Sequence, residues 1–198
     1  MHAVKSLVAS NCCKSLNLAS NMISESGLNC ILKELSANTS IETLDIGIWR
    51  KSIRKNSIGS MGAKCIAATL IHNRSISTLR MQDNDIGVKG ADLISQALKQ
   101  NKSISHLKIS ENNIQTEGIS PIIEGAEQIL KSNFGLISLD LGKNSIGSKI
   151  GTTLQYFVSN SSKLHYLNLE HNNLQLKGIE FLTSVRRYNP RACSIARV

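Results

Sequence analysis

Side chains capable of acid–base, metal or ionic chemistry are spread along this chain at regular intervals and nowhere gathered into a set. Its five histidines include no pair at metal-ligand spacing. No glycine-rich loop joins a strand to a helix in the form that cradles a phosphate. Among many serines, no Ser/His/Asp arrangement stands out. What recurs is three columns of polar positions. One column runs Asn17, Asp45, Arg80, Lys108, Asp140, Asn168. Beside it lie Ser15, Thr43, Thr78, His106, Ser138 and Tyr166, and on the other side Asp83, Glu111, Lys143 and His171. Chemistry of this kind recognises; it does not turn over. The sequence therefore reads as non-enzymatic, with no cofactor and no metal, and His106 and His171 read as isolated surface residues.

The recognised molecule is expected to be a protein. A net charge of +9 over 198 residues attracts polyanions, yet acids interrupt the columns, with Asp83 near Arg80 and Glu111 near Lys108. A face that tracks nucleic acid needs uninterrupted Lys and Arg with stacking aromatics, and here only Tyr166 qualifies. The stretch IWRKSIRKN at 48–56 adds a second candidate. It carries the only tryptophan, Trp49, among Arg50, Lys51, Arg54 and Lys55. Trp and Arg dominate interface hot spots, so this loop is expected to meet an acidic partner. The candidate partner-binding set is then Trp49, Arg50, Arg54, Arg80, Asp83, His106, Lys108, Glu111, Asp140, Tyr166 and His171.

Behind these columns stands a repeated phrase that must position them. Six strand cores appear: LNL at 16–18, LDI at 44–46, LRM at 79–81, LKI at 107–109, LDL at 139–141 and LNL at 167–169. Alternation with period two turns both apolar residues of each core inward and the middle one outward. An asparagine follows each: Asn21, Asn56, Asn84, Asn112, Asn144 and Asn172. Its amide both donates and accepts, so stacked copies can form a structural ladder between turns. Two residues later comes an apolar anchor (Ile23, Ile58, Ile86, Ile114, Ile146, Leu174), and four further on a glycine (Gly27, Gly62, Gly90, Gly118, Gly178), with Ile150 the exception. A helical stretch ends eleven residues after the glycine at Asn38, Asn73, Asn101 and Asn189, where a left-handed residue is expected to close the helix. Ser161 replaces that asparagine in the fifth repeat, which should be locally distorted. Seven extra residues between Ile46 and Asn56 lengthen one step to 35. Four between Gly118 and Asn133 lengthen a helix, with Pro121 expected in its first turn.

Residues 84–107 resemble almost letter for letter the 28-residue, ribonuclease-inhibitor-type leucine-rich repeat. The variant is N-x-I-G-x-x-G-A…A-L-x-x-N-x-S-I, seen in NOD-like receptors, Ran GTPase activators and many bacterial proteins. The resemblance covers roughly 13–189. It implies an α/β leucine-rich-repeat solenoid, a curved right-handed horseshoe arc of about six repeats with a parallel sheet on the concave face and helices on the convex face. One domain over 1–198 is expected: a partial N-terminal helix at 1–12 with Leu7 in register with Leu35, six repeats over 13–189, and a degenerate strand at 190–198 with Ile195 in register with Leu167. The implied function is a scaffold that binds a protein through the concave sheet and the 48–55 insertion. Two alternatives are a regulator of the GTPase-activating type and a segment of a larger array such as a secreted bacterial effector. No functional residue of the GTPase activators maps onto a matched position here.

Composition agrees with a folded chain. Hydrophobic residues make up 41%, aromatics 4%, and there are two prolines, so the core is aliphatic. The longest apolar runs are a few residues against the roughly 20 a membrane span needs. MHAVKSLVASNCC is interrupted by Lys5, and Asn11 before Cys12 does not resemble a cleavage site, so an intracellular location is expected. Five cysteines in a chain too large to need staples read as reduced. Cys13, Cys30 and Cys65 are expected in the core.

Overall fold

Two inward-facing aliphatic side chains per strand, repeated six times, set the architecture. The computed structural model describes residues 2–48, 55–131, 135–161, 163–178, 180 and 194–195. Strands β1 (Ser15–Asn17), β2 (Thr43–Asp45), β3 (Thr78–Arg80), β4 (His106–Lys108), β5 (Ser138–Asp140), β6 (Tyr166–Asn168) and β7 (Ser194–Ile195) form one open parallel sheet in chain order. Register holds at every step: Leu16, Leu44, Leu79, Leu107, Leu139 and Leu167 pair in succession, and Leu167 pairs with Ile195. The longer steps leave it undisturbed. Alternating with the strands are α1 (His2–Ala9), α2 (Glu25–Leu35), α3 (Gly59–His72), α4 (Gly87–Leu98), α5 (Gln115–Lys131) and α6 (Gly151–Asn160). Strands stack about 4.8 Å apart and helices about 8–10 Å apart. The helix layer is therefore the longer one, and the array curves with its sheet on the inside.

Between the layers lies one continuous aliphatic core, from Val8 to Leu174, in which Leu79, Met81, Ile86, Ala91, Ile94 and Leu98 are fully covered in the third repeat. The anchor explains the glycine that follows it. A Cβ on Gly90 would stand 2.7 Å from the Ile86 Cβ and one on Gly118 2.6 Å from the Ile114 Cγ2, distances that no real carbon pair tolerates. Where Ile150 takes that place, the chain passes through a 3-10 turn at Ser148–Ile150 before α6 begins. The expected distortion is thus a local rewinding that makes room for the extra side chain.

Two asparagine ladders hold successive turns together. In the first, the Asn112 Nδ2 donates to the carbonyls of Met81, Ile109 and Ser110 at 2.9–3.2 Å. Its Oδ1 accepts from the backbone of Asn84 at 3.0 Å and Ile86 at 3.4 Å. Asn144 and Asn172 repeat the pattern one and two turns on. Asn56 does the same for Asn21 and Ile23. Asn84 departs from it. Its Nδ2 bonds to Ile46, Met81 and Gln82, but its buried Oδ1 has no partner among the described residues. Asn56 and Ile58, whose N–H groups would supply it, lie just beyond the inserted segment.

The closing asparagines form the second ladder, and here the expectation of a left-handed cap is wrong. Asn73 is extended, φ −71° and ψ 136°, and neither Asn38 nor Asn101 has positive φ. Each instead folds its buried side chain inward. Asn101 Nδ2 donates to the carbonyls of Leu70 and Asn73, and its Oδ1 accepts from Ser103 and Ile104. Asn73 likewise reaches Leu35 and Asn38, and Asn38 reaches Val8. These side chains satisfy the last carbonyls of the previous helix, the groups a helix leaves open, so no left-handed turn is needed. Ser161 is too short to cross to the neighbouring repeat and bonds back to the Phe157 carbonyl of its own helix.

Three further expectations need correction. Val8, fully buried, takes the place of Leu35 in the first helix, and Leu7 is exposed. The step from Val8 to Leu16 is one residue shorter than those from Leu35 to Leu44, Leu70 to Leu79 and Leu98 to Leu107, which shifts the register. Pro121 lies in the second turn of α5, not the first, because α5 starts in register with α4 and adds its extra length at the far end, 17 residues against 12. Cys30 and Cys65 are half-buried rather than buried, and Cys12, Cys13, Cys30 and Cys65 are free thiols.

The turns after the strands hold ordinary residues in a left-handed backbone. Ser20, Asp83, Glu111, Lys143 and His171 have φ of 54–58°, and Met22, Asp85, Asn113 and Ser145 have φ of 52–57°. Such conformations cost about 1–2 kcal/mol for an ordinary residue. The N–H groups of Ser20, Asp83, Glu111 and Lys143 offset this by donating to carbonyls of the next turn at 2.8–3.1 Å.

Two stability measurements check this account. Ser145→Gly should raise stability by about 1 kcal/mol, seen as a Tm increase of a few degrees in a chain of this size. Asn112→Ala should cost about 2–3 kcal/mol by urea unfolding, since it strands buried backbone groups of two repeats. Asn84→Ala should cost clearly less, because its Oδ1 supports nothing. Equal losses at both positions would contradict the ladder assignment.

Candidate functional site

Register places the outward residues of adjacent strands side by side on the inner face of the sheet. Thr78, His106, Ser138 and Tyr166 are directly paired along β3–β6, and so are Arg80, Lys108, Asp140 and Asn168. All of these but Asn168 line a depression of about 380 Å³ on the inner face. The structure thus gathers Arg80, His106, Lys108, Asp140 and Tyr166 from the candidate set around one hollow. Asp83, Glu111 and His171 stand apart on the left-handed turns along the sheet's rim. Trp49, Arg50 and Arg54 lie outside the described residues.

Ion pairing runs across repeats rather than within them. Arg80 Nη1 faces Asp45 Oδ2 of the preceding strand at 3.8 Å, and Lys108 Nζ faces Asp140 Oδ2 of the following strand at 3.6 Å. On the rim, Asp83 takes Lys55 at 3.1 Å and Glu111 takes Lys143 at 3.2 Å. Exposed pairs of this kind contribute about 0–1 kcal/mol. They shape the surface more than they stabilise it.

Asp45 and Asp140 differ from the rest of their column in being almost wholly covered, at 6% and 7% exposure. Each folds back along its own strand, where Asp45 Oδ1 accepts from the Gly47 N–H at 3.0 Å and Asp140 Oδ1 from the Gly142 N–H at 3.1 Å. Asn168 Nδ2 adds a bond to Asp140 Oδ1 at 3.0 Å, and the Ser110 hydroxyl one to Oδ2 at 3.4 Å. Reading the middle column as simply outward missed this. The signal was present in LDIG and LDLG at 44–47 and 139–142, since an aspartate two residues ahead of a glycine is suited to a local turn bond. Gln82 was also missed. Its side chain covers Gly47 and donates to the Ile48 carbonyl, leaving its Oε1 buried without a partner among the described residues.

Tyr166 closes one end of the hollow. Burial pushes its phenol above the ordinary tyrosine value, and the carboxylates of Asp140 and Glu170 add to the shift. Among the described residues no group of three or more metal-ligating side chains converges. No helix among them is long and apolar enough to cross a membrane.

One open parallel sheet, a helix returning from each strand to the next and buried asparagines joining the turns define an α/β leucine-rich-repeat solenoid. Comparison with known proteins agrees. A family model described as leucine-rich repeat matches residues 72–95, 100–122 and 160–182. Curated protein sequences give no match. Among solved structures, the actin-binding site 2 of leiomodin-1 is similar with a TM-score of 0.56 at 16% identity, covering 95% of this chain and 88% of that one. The tropomodulin C-terminal domain of Caenorhabditis elegans gives 0.53 at 8%, over 96% and 92%. An internalin from Listeria monocytogenes gives 0.55 at 16%, over 98% of this chain and 51% of that one. At these identities the likeness is one of fold.

Titrating the Tyr166 ring by NMR should show its ionisation above the ordinary value near 10. Asp140→Asn should lower it only part of the way, because burial is the larger cause. Ionisation disfavoured in the folded chain removes stability as pH rises through the folded value, and that alkaline loss should shrink in Tyr166→Phe.

Proposed function

We propose that this chain is a protein-binding scaffold of the ribonuclease-inhibitor-like repeat type, engaging its partner through the inner face of the sheet. The observation that carries this reading is the hollow at β3–β6, where Arg80, Lys108, His106 and Tyr166 present charged, hydrogen-bonding and aromatic groups on a rigid sheet. Arg and Tyr are the side chains that anchor interfaces, and little ordering entropy is lost when strands hold them in place. A leiomodin segment with this fold is named for binding actin, which supports a recognition role for the architecture without transferring the partner. Asp45 and Asp140 beneath the two cations interrupt the positive surface that nucleic acid requires. The insertion bearing Trp49, Arg50 and Arg54 is a second contact in this proposal, since its last residue, Lys55, reaches Asp83 on the same rim.

Site-specific photo-crosslinking tests the reading. A photoreactive residue at position 106 or 166 should capture a discrete protein adduct in cells, whereas one at Gln96, exposed on α4, should not. Arg80→Glu with Lys108→Glu should abolish the adducts, and Trp49→Ala with Arg54→Ala should weaken them. Adducts from the helix face alone would overturn the proposal.

A further inference from the structure

Not all ion pairs of this solenoid are made alike. Four among the described residues, Lys14–Glu42, Lys55–Asp83, Lys99–Glu124 and Lys143–Glu111, close to 3.1–3.2 Å, within hydrogen-bonding range. The two in the hollow do not. Arg80 stays 3.8 Å from Asp45 and Lys108 3.6 Å from Asp140, beyond hydrogen-bonding range. The reason lies with the carboxylates. Asp45 spends Oδ1 on Gly47, while Asp140 spends Oδ1 on Gly142 and Asn168 and turns Oδ2 toward Ser110. Their local bonds hold them against the sheet, so they neutralise the cations without taking up their N–H donors.

The hollow is therefore rich in unspent donors. Neither the Arg80 guanidinium nor the Lys108 ammonium has a hydrogen-bond acceptor among the described residues, and they are registered neighbours on adjacent strands. The hydroxyls of Tyr166, Ser138 and Thr78 are likewise unpartnered there. His106 uses Nδ1 on Ser105 Oγ at 2.9 Å, which leaves Nε2 free. Two neighbouring cations with spare N–H donors and no acceptor of their own, beside hydroxyls that can also donate, are complementary to an acceptor-only group.

From this we infer that the hollow is a carboxylate-binding subsite, in which an acidic side chain or C-terminal carboxylate of the protein partner lies between Arg80 and Lys108. This rests on the protein-binding reading above and names the chemistry of the partner. A carboxylate fits better than a phosphate. The two cations and two covered carboxylates sum to zero formal charge, so the hollow offers directed donors rather than excess positive charge, and a dianion meets the repulsion of Asp45 and Asp140 twice where a monoanion meets it once. A monoanion with a planar pair of oxygens matches the guanidinium fork.

NMR titration of the intact chain with a capped triglutamate peptide tests the site, with capped triglutamine and inorganic phosphate as controls. Triglutamate should shift the His106 and Tyr166 ring signals and the backbone amides of residues 78–80 and 106–108 in a saturable way. Triglutamine should not, and phosphate should bind more weakly. Arg80→Ala and Lys108→Ala should each weaken the response about tenfold, the loss of one charge-assisted bond, with unchanged melting curves. Arg80→Lys should restore it only in part, since it keeps the charge and loses the fork. Equal shifts from triglutamine, tighter binding of phosphate, or shifts centred elsewhere would each overturn the assignment. Concave cross-links without a triglutamate response would remove the carboxylate site and leave the binding reading intact. A triglutamate response without cross-links would do the reverse.

Discussion

A buried asparagine amide bridges each turn to the one before it, and the remaining structure follows from keeping that amide satisfied. Asn112 supplies acceptor and donors to backbone groups of the third and fourth repeats at once. An unpaired buried polar group costs about 1–3 kcal/mol, so these bonds force neighbouring repeats into one relative position. Strand register, helix placement and curvature then have little freedom left. The second ladder through Asn38, Asn73 and Asn101 imposes the same condition at the start of β2, β3 and β4. With both ends tied, these strands form a rigid platform.

That rigidity explains features that look unfavourable in isolation. Twelve non-glycine residues among the described residues adopt positive φ, and at Ser20, Asp83, Glu111, Gln115 and Lys143 the cost is tolerable because carbonyls of the next repeat accept their N–H groups. Glycine at positions 62, 90 and 118 lets the anchor isoleucine lie flat on the following helix. The ladder is weakest at Asn84, whose buried Oδ1 has no partner among the described residues.

On this platform the hollow at β3–β6 owes its character to a division of labour within the outward columns. Asp45 and Asp140 serve their own strands; Arg80 and Lys108 are left with charge balanced but donors unspent. A rigid sheet keeps the two cations one strand apart and prevents their collapse onto the carboxylates. Recognition by such a surface depends on hydrogen-bond complementarity more than on net charge, even in a chain carrying +9.

Period and spacing made the solenoid legible in the sequence, because each repeat must bury the same leucines and satisfy the same turn, and a constraint applied six times leaves six copies of its signature. The 28-residue step, the six strand cores and the asparagines of the first ladder could be read directly for that reason. The places of Val8 and Pro121 were also present in the spacing, as a step one residue shorter before Leu16 and a helix start 28 residues after that of α4. The inward fold of Asn73 was not, because it depends on how one repeat meets its neighbour, a relation that sequence spacing within a repeat does not encode. The same holds at the site. Arg80 and Lys108 were identifiable as outward residues from alternation alone. That their partners are Asp45 and Asp140 on adjacent strands, held too far away to take their donors, was decided only when the strands came into register.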